Sequence, residues 1–467
     1  MKIVYLFLLC LVYSKKIFCQ STLDFDACLK IALDQDNTYK KQLLQIKIKE
    51  NDIVTAHNSF YPTLGLISNN NLYVGRQLLP EIDNYKNVSL PNTNINLTSQ
   101  LYLFKAFQNK LNLQFQKQLL DIHNLYSNQI ELEIAFITFT SYIELLYSTD
   151  AVELVKTRIS FLQLKKEQIS YMLKVGSLPK SAIFDIESQI NQESINLVNA
   201  QKQKNQSYIN LKKILNYSIN DTFTILQPLS KNELNTENEE KTVNYFTTQF
   251  PIILSKSAEI KAYKTNLKLI KYSNFPTLKL TSSLGTAYSK NNRYFENYYS
   301  EFYIAGQTVD GIDVLLPKNI QHNYEIPLKN QLINQLGAQF TLQLSIPIIN
   351  GLSLKQRKNN ALLQIKNIEY ELDQIKRENQ QKISTLYNEY KSTCESIEIL
   401  TKNLENQNKL LEFYWEKYIN GLATNIEYRF AYNNLQQTKA ELLHYEYDKL
   451  FKQKMIKYYN GVALDLD

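Results

Sequence analysis

Four stretches of this chain contain neither glycine nor proline: 105–175, 180–227, 352–420 and 422–460. Glycine and proline are the strongest punctuators of local structure, so their absence predicts long unbroken elements. The whole sequence of 467 residues holds only 10 Gly and 10 Pro, well below ordinary usage. At 1.5 Å rise per residue, the first and third stretches predict helices on the order of 100 Å long. Leu132, Phe136, Phe139, Ile143 and Leu146 step by four and three, the spacing of a coiled-coil seam. Ile365, Ile368, Leu372 and Ile375 repeat that stepping. Each rod therefore carries an apolar stripe that needs a partner.

Shorter helical patterns run from about Phe25 to Asn58, Lys180 to Asn216, Val243 to Ser273 and Thr424 to Tyr459. Two of these placed end to end match one long rod, so two half-rods are expected alongside each full rod. The segments between change period. Leu64 and Leu66 alternate with Thr63 and Gly65, and Ile95, Leu97, Ser99, Leu101 and Leu103 alternate with Asn94, Asn96, Thr98, Gln100 and Tyr102. Leu278, Leu280, Ser282 and Leu284 alternate with Thr277, Lys279, Thr281 and Ser283. Leu336, Ala338, Phe340, Leu342, Leu344 and Ile346 alternate with Gln339, Thr341, Gln343 and Ser345. Period two with one apolar and one polar face predicts strands that meet two different environments.

"FYPTL" at Pro62 and "NFPTL" at Pro276 each stand where a helical pattern gives way to a strand pattern. Proline lacks the donor a helix interior needs, so Pro62 and Pro276 read as rod-to-strand junctions. The chain thus reads as an internal duplication, helix–strand–strand–helix–helix twice, over 21–230 and 231–467. Residues 1–20 form a lysine-then-apolar segment expected to be a secretory signal, with Phe18 disfavouring a lipid anchor on Cys19. The segment 229–244, with Glu239 and Glu240, reads as a polar linker. Residues 290–331 and 75–93 read as loops between the strand patterns.

No stretch beyond residue 20 has 18 consecutive apolar residues, which excludes a membrane-spanning helix. Two-faced strands suit either a soluble sandwich or an outer-membrane barrel with its apolar face toward lipid. The 33 Tyr and 21 Phe fit interfacial girdles, although a compositional bias toward Asn, Lys, Ile and Tyr explains them equally. An open sheet edge is not tolerated in lipid, so membrane strands in this number require several chains to share one barrel. The formal charge of +7 is diffuse and gives no nucleic-acid footprint. Cys28 and Cys394 read as packed thiols rather than a disulfide framework. His57, His123, His322 and His444 lack metal-ligand spacing, no catalytic constellation stands out, and no cofactor is expected.

The ordered set of patterns resembles the TolC-like outer-membrane efflux protein family over essentially the whole mature chain. The junctions above, the opening "LDFDACLKIALDQDN", and the turns "VGSLPKSAIFDIES" and "NGLATNIEYRFAY" carry the likeness. It implies a mainly α fold with a transmembrane β portion, a homotrimer with a shared 12-stranded barrel, and a helical tunnel in the periplasm. It further implies an exit duct in the outer membrane, without enzymatic activity, that serves a tripartite efflux pump or type I secretion system. The implied partners are a periplasmic adaptor, an inner-membrane transporter and the lipid bilayer, with no nucleic acid. A coiled-coil scaffold of the cell envelope is the alternative, and the two-faced strands argue against it.

The resemblance also assigns residues. Val175, Gly176, Ser177 and Leu178 at one hairpin tip, and Gly421, Leu422 and Ala423 at the other, would receive the adaptor. Tyr418, Glu427, Phe430 and Asp185 would form the entrance constriction. Phe430 stands where the family often has an acid, and Ala423 where it often has an Arg.

Overall fold

A computed structural model describes residues 21–79, 84–218, 220–226, 238–290, 292–349, 351–462 and 464. The expected signal at 1–20 and most of the expected linker lie outside these residues. Contacts divide the chain into two compact units. The first comprises 1–50, 118–262 and 364–467, and the second comprises 51–117 and 263–363.

The glycine-poor stretches are single helices. Helix α3 spans Gln108–Lys174 and α8 spans Ser353–Ile419, 67 residues each. Each returns through a shorter helix, α4 (Ser181–Ile214) and α9 (Asn425–Tyr459). The remaining half-rods depart from expectation, because each is two helices: α1 (Phe25–Gln35) and α2 (Asn37–Asn58), then α5 (Glu239–Gln249) and α6 (Pro251–Tyr272). Asp36 is extended, and its carboxylate accepts from the Tyr39 amide at 2.7 Å, stopping one helix and starting the next. Phe250 is extended before Pro251, which suits a first helical position because its missing N–H would be unpaired there anyway. Glu239 and Glu240 are not linker residues. They fill the first turn of α5 behind the cap Asn238, where the helix dipole favours acids.

The first unit is held by apolar seams at the expected spacing. Phe139, Ile143 and Leu146 are buried on α3 together with Phe25, Cys28 and Leu211. Ile365 and Ile368 are buried on α8. Two three-residue strands, β1 (Ser21–Leu23) and β4 (Phe223–Ile225), pair in parallel beside this core. The Tyr142 hydroxyl fastens them, donating to the Leu226 carbonyl at 2.7 Å. Cys28 is fully buried, and burial followed by the charge of Asp24 pushes its thiol up to about 12, so it is an inert core group. Cys394 is half-buried.

The second unit carries four antiparallel strands in the order β2 (Thr63–Leu79), β3 (Asn84–Phe104), β5 (Thr277–Ser289), β8 (Gly337–Ser345). Register carries each face across the sheet. Leu66, Leu97, Leu284 and Ala338 form one row across all four strands, while Thr63, Gln100, Thr281 and Thr341 form another. Antiparallel partners share a face, so apolar rows collect on one side and polar rows on the other. The outer edges of β2 and β8 have no strand partner among the described residues.

Both expected loops are largely strand. Residues 75–93 hold the ends of β2 and β3, paired out to Leu79 and Asn84. Residues 290–331 hold a second hairpin, β6 (Arg293–Gln307) with β7 (Asp313–Glu325), and the start of a short helix α7 (Leu328–Asn334). Gln331 of α7 is buried. Its oxygen accepts from the Ser289 amide at 3.0 Å, and its nitrogen donates to the Ile326 carbonyl at 2.8 Å.

Chain reversals between strand and rod repeat as well. Ala106 and Phe107 precede α3 with φ of 47° and 58°, and Gly351 and Leu352 precede α8 with φ of 55° and 60°. Three of these four carry a Cβ in the left-handed region, a local cost of about 1 kcal/mol each.

Candidate functional site: the two hairpin tips

Each long helix ends on a glycine-based stop. The Ser177 amide donates to the Met172 carbonyl at 2.9 Å and the Gly176 amide to Leu173 at 3.2 Å. At the other tip, Leu422 donates to Lys417 at 2.8 Å and Gly421 to Tyr418 at 3.1 Å. These are two identical Schellman closures, which require a left-handed residue just past the helix. Gly176 and Gly421 supply it, with φ of 78° and 71°. A Cβ on either would meet nothing within 4 Å, so both tips are bare backbone on their outer side. Val175, Leu422, Ile426 and Phe430 stand exposed around them. Ser177 is exposed, while Leu178 and Ala423 are half-buried.

The return helices start differently. Helix α4 begins at Lys180 without a side-chain cap. Helix α9 begins with a complete capping box: Thr424 Oγ1 accepts from the Glu427 amide, and the Glu427 carboxylate accepts from the Thr424 amide at 2.7 Å. These hydrogen bonds from the Thr424 backbone and side chain hold the Glu427 carboxyl below its usual range. The T-x-x-E spacing was legible as a cap in the sequence, beside the entrance role that the resemblance gives Glu427.

Below the turns, both hairpins share one apolar cluster. Leu162, Ile169, Ala182 and Ile186 of α3 and α4 pack with Leu411, Tyr418, Tyr428, Ala431 and Tyr432 of α8 and α9. The Tyr418 and Tyr428 rings stack at 5.8 Å and 12°. Asn425 Nδ2 donates to Asp185 Oδ2 at 2.5 Å, joining the hairpins through polar groups as well. Burial, then the Asp185 charge, raises the Tyr418 phenol above its ordinary value. Of the four expected constriction residues, the structure brings together Tyr418 and Asp185. Glu427 and Phe430 are exposed on the first turns of α9. Pro62 and Pro276 stand immediately before β2 and β5.

This arrangement offers polar ties, bare backbone and exposed apolar side chains. Residues 249–456 match the model of the outer membrane efflux protein family. That match covers somewhat less than half of the chain. The fold extends the likeness through the rest of the chain. It is similar to CusC, whose structures concern transmembrane channel formation, with a TM-score of 0.75 at 14% identity, covering 96% of this chain and 95% of that one. It is also similar to the outer membrane protein VceC of Vibrio cholerae, with a TM-score of 0.73 at 11% identity over 94% and 96% of the two chains. The Campylobacter jejuni outer membrane channel CmeC follows at 0.72 and 12%, over 94% and 86%. At these identities the structural likeness is one of fold. No curated protein matches the sequence of this chain. The matched family is one of outer membrane efflux proteins.

Proposed function

We propose that this chain is an outer-membrane efflux protein, the passive exit duct of a tripartite pump or type I secretion system, working as a homotrimer with a periplasmic adaptor and an inner-membrane transporter. The observation that carries the reading is the four-stranded sheet with one mainly apolar face and two edges that have no strand partner among the described residues. In lipid such edges must be closed by neighbours. Three copies would supply twelve strands, enough for one barrel whose polar face lines water. The rods would then form a tunnel in the periplasm, and the chain itself performs no chemistry.

Under this reading the tips are the periplasmic end. The bare glycines Gly176 and Gly421, flanked by Val175, Ser177, Leu178, Leu422 and Ala423, receive the adaptor's hairpins. Tyr418 and Asp185 help hold the entrance closed, while Glu427 and Phe430 line it. The reading is supported by the family, by the fold, and by the polar tie between hairpins at Asp185. Mass measurement of the purified protein, joined to bilayer recording, tests it. A trimer that conducts is expected, and a monodisperse single chain that passes no current would sink it.

A further inference from the structure

A cleft of about 310 Å³ lies between helices α3, α8 and α9 within the first unit. Its lining divides by chemistry. Phe161, Leu411, Trp415 and Leu435 make an apolar wall, while Arg158, Lys165 and Lys439 bring three cations. Glu412 is the one acid of the lining, and it is exposed. Glu193 faces Arg158 from α4, but at 3.9 Å, beyond hydrogen-bond length. Arg158 donates to the Gln436 backbone carbonyl at 2.8 Å. Its Nε is buried without a partner, and so is the Gln436 side-chain oxygen, on a residue only 7% exposed. Lys165 Nζ rests 3.7 Å from the Trp415 ring centroid, held by the π face rather than by an acid. Burial lowers the basicity of Lys165, and burial together with the Arg158 charge lowers that of Lys439.

A buried donor left open, within an excess of positive charge and beside stacked rings, is costly unless something fills it. We propose that this cleft binds an amphiphilic organic anion. Its carboxylate or sulfonate accepts from Arg158 Nε and pairs with Lys439, since a guanidinium matches planar oxyanions. A half-turn of the Gln436 amide presents its NH2 to the same group. The ligand's apolar body lies against Phe161 and Trp415. A bare inorganic anion would leave that wall in water, so the cleft selects for both ends of the molecule. The assignment is independent of adaptor docking and of the entrance residues.

Trp415 is the single tryptophan of the chain, so its emission reports on this cleft alone. The full-length protein in lipid nanodiscs is titrated with 4-phenylbutyrate, and in parallel with the neutral 4-phenylbutan-1-ol. The expected result is a saturable change in Trp415 emission with the anion, and binding at least about tenfold weaker for the alcohol. Arg158→Gln and Lys439→Gln are each expected to weaken the anion by about tenfold. Lys439→Gln removes no bond that holds the fold, so it keeps the test sound if Arg158→Gln fails to assemble. Equal binding of acid and alcohol, unchanged affinity in Lys439→Gln, or absence of a saturable response overturns the proposal. So does shielding of Trp415 from acrylamide in the ligand-free protein, because the cleft would then be covered by a neighbour.

Discussion

The side-chain amide of Asn425 donates to the carboxylate of Asp185 across 2.5 Å, linking residues 240 apart in sequence. It is the polar counterpart of the apolar cluster that both hairpins share. Asp185→Ala should therefore loosen the tips locally, at a cost of about 1 kcal/mol, while leaving the four-stranded sheet untouched. Hydrogen exchange should speed up around 182–190 and 425–432 and nowhere in β2, β3, β5 or β8. If the tie also holds the entrance closed, single-channel conductance of Asp185→Ala rises. Unchanged exchange at both tips would show that the bond contributes nothing.

The capping box at Thr424 and Glu427 predicts a pH dependence with a definite sign. The Glu427 carboxyl is depressed in the folded protein by its bonds to Thr424. A group depressed on folding contributes stability that is fully present above its unfolded value, near about 4.3 for Glu, and lost as pH falls through the folded value. Amide protection at 424–428 should thus fall on acidification through that window. Thr424→Ala should lessen but not abolish the pH dependence, because the backbone amide at 424 still donates to Glu427, and should cost about 1 kcal/mol at neutral pH.

Ion selectivity separates the capping role of Glu427 from an entrance role. Glu427→Ala in planar bilayers should weaken the preference for cations, read as a shift of reversal potential toward zero in a salt gradient. Glu427→Gln should shift it similarly while retaining part of the cap. A reversal potential unchanged in both variants leaves Glu427 as a capping residue only.

Glycine positions should differ in a way that geometry alone decides. Gly421→Ala meets no neighbour within 4 Å, so it should cost only the left-handed strain, about 1–2 kcal/mol. Gly421→Asn should recover part of that, because Asn tolerates the region. Gly461 has a φ of 72°, but a Cβ there would collide with the Tyr245 ring. Gly461→Ala should therefore lower the thermal midpoint more than Gly421→Ala, and the opposite ranking would contradict these packing contacts.

Tyr428 and Tyr432 are almost fully buried, with hydroxyls that have no hydrogen-bond partner among the described residues. Burial pushes both phenols up. An unsatisfied buried hydroxyl is a cost, so Tyr428→Phe and Tyr432→Phe should leave stability unchanged or raise it by about 1 kcal/mol. A clear loss on thermal unfolding would mean that each hydroxyl has found a partner, such as water or another subunit.

The rods were legible because a helix needs only an apolar stripe and the absence of breakers, and α3 and α8 have both over 67 residues. Strand faces were legible for the same local reason. The breaks at Asp36 and Phe250 were missed although each carries a written signal, an acid able to cap and a proline at a first turn. Hairpin β6–β7 was read as loop because its aromatic residues do not alternate cleanly. Its pairing shifts register between Tyr299 and Glu301 and again between Ile304 and Gly306, and bulges of that kind erase a period of two. At the tips, single residues such as Gly421 and Glu427 could be named from sequence. The Asn425–Asp185 bond and the Arg158 cleft could not, because each joins segments more than two hundred positions apart.

Both reversals at Gly176 and Gly421 are closed entirely by main-chain groups. Side chains on either flank are thereby excused from keeping the bend intact. Ser177 can diverge from Leu422, and Lys180 from Thr424, with each hairpin still turning at the same place. One duplicated subunit can in this way present two unlike surfaces to whatever approaches it, so that a threefold ring would offer six contact points of two alternating kinds.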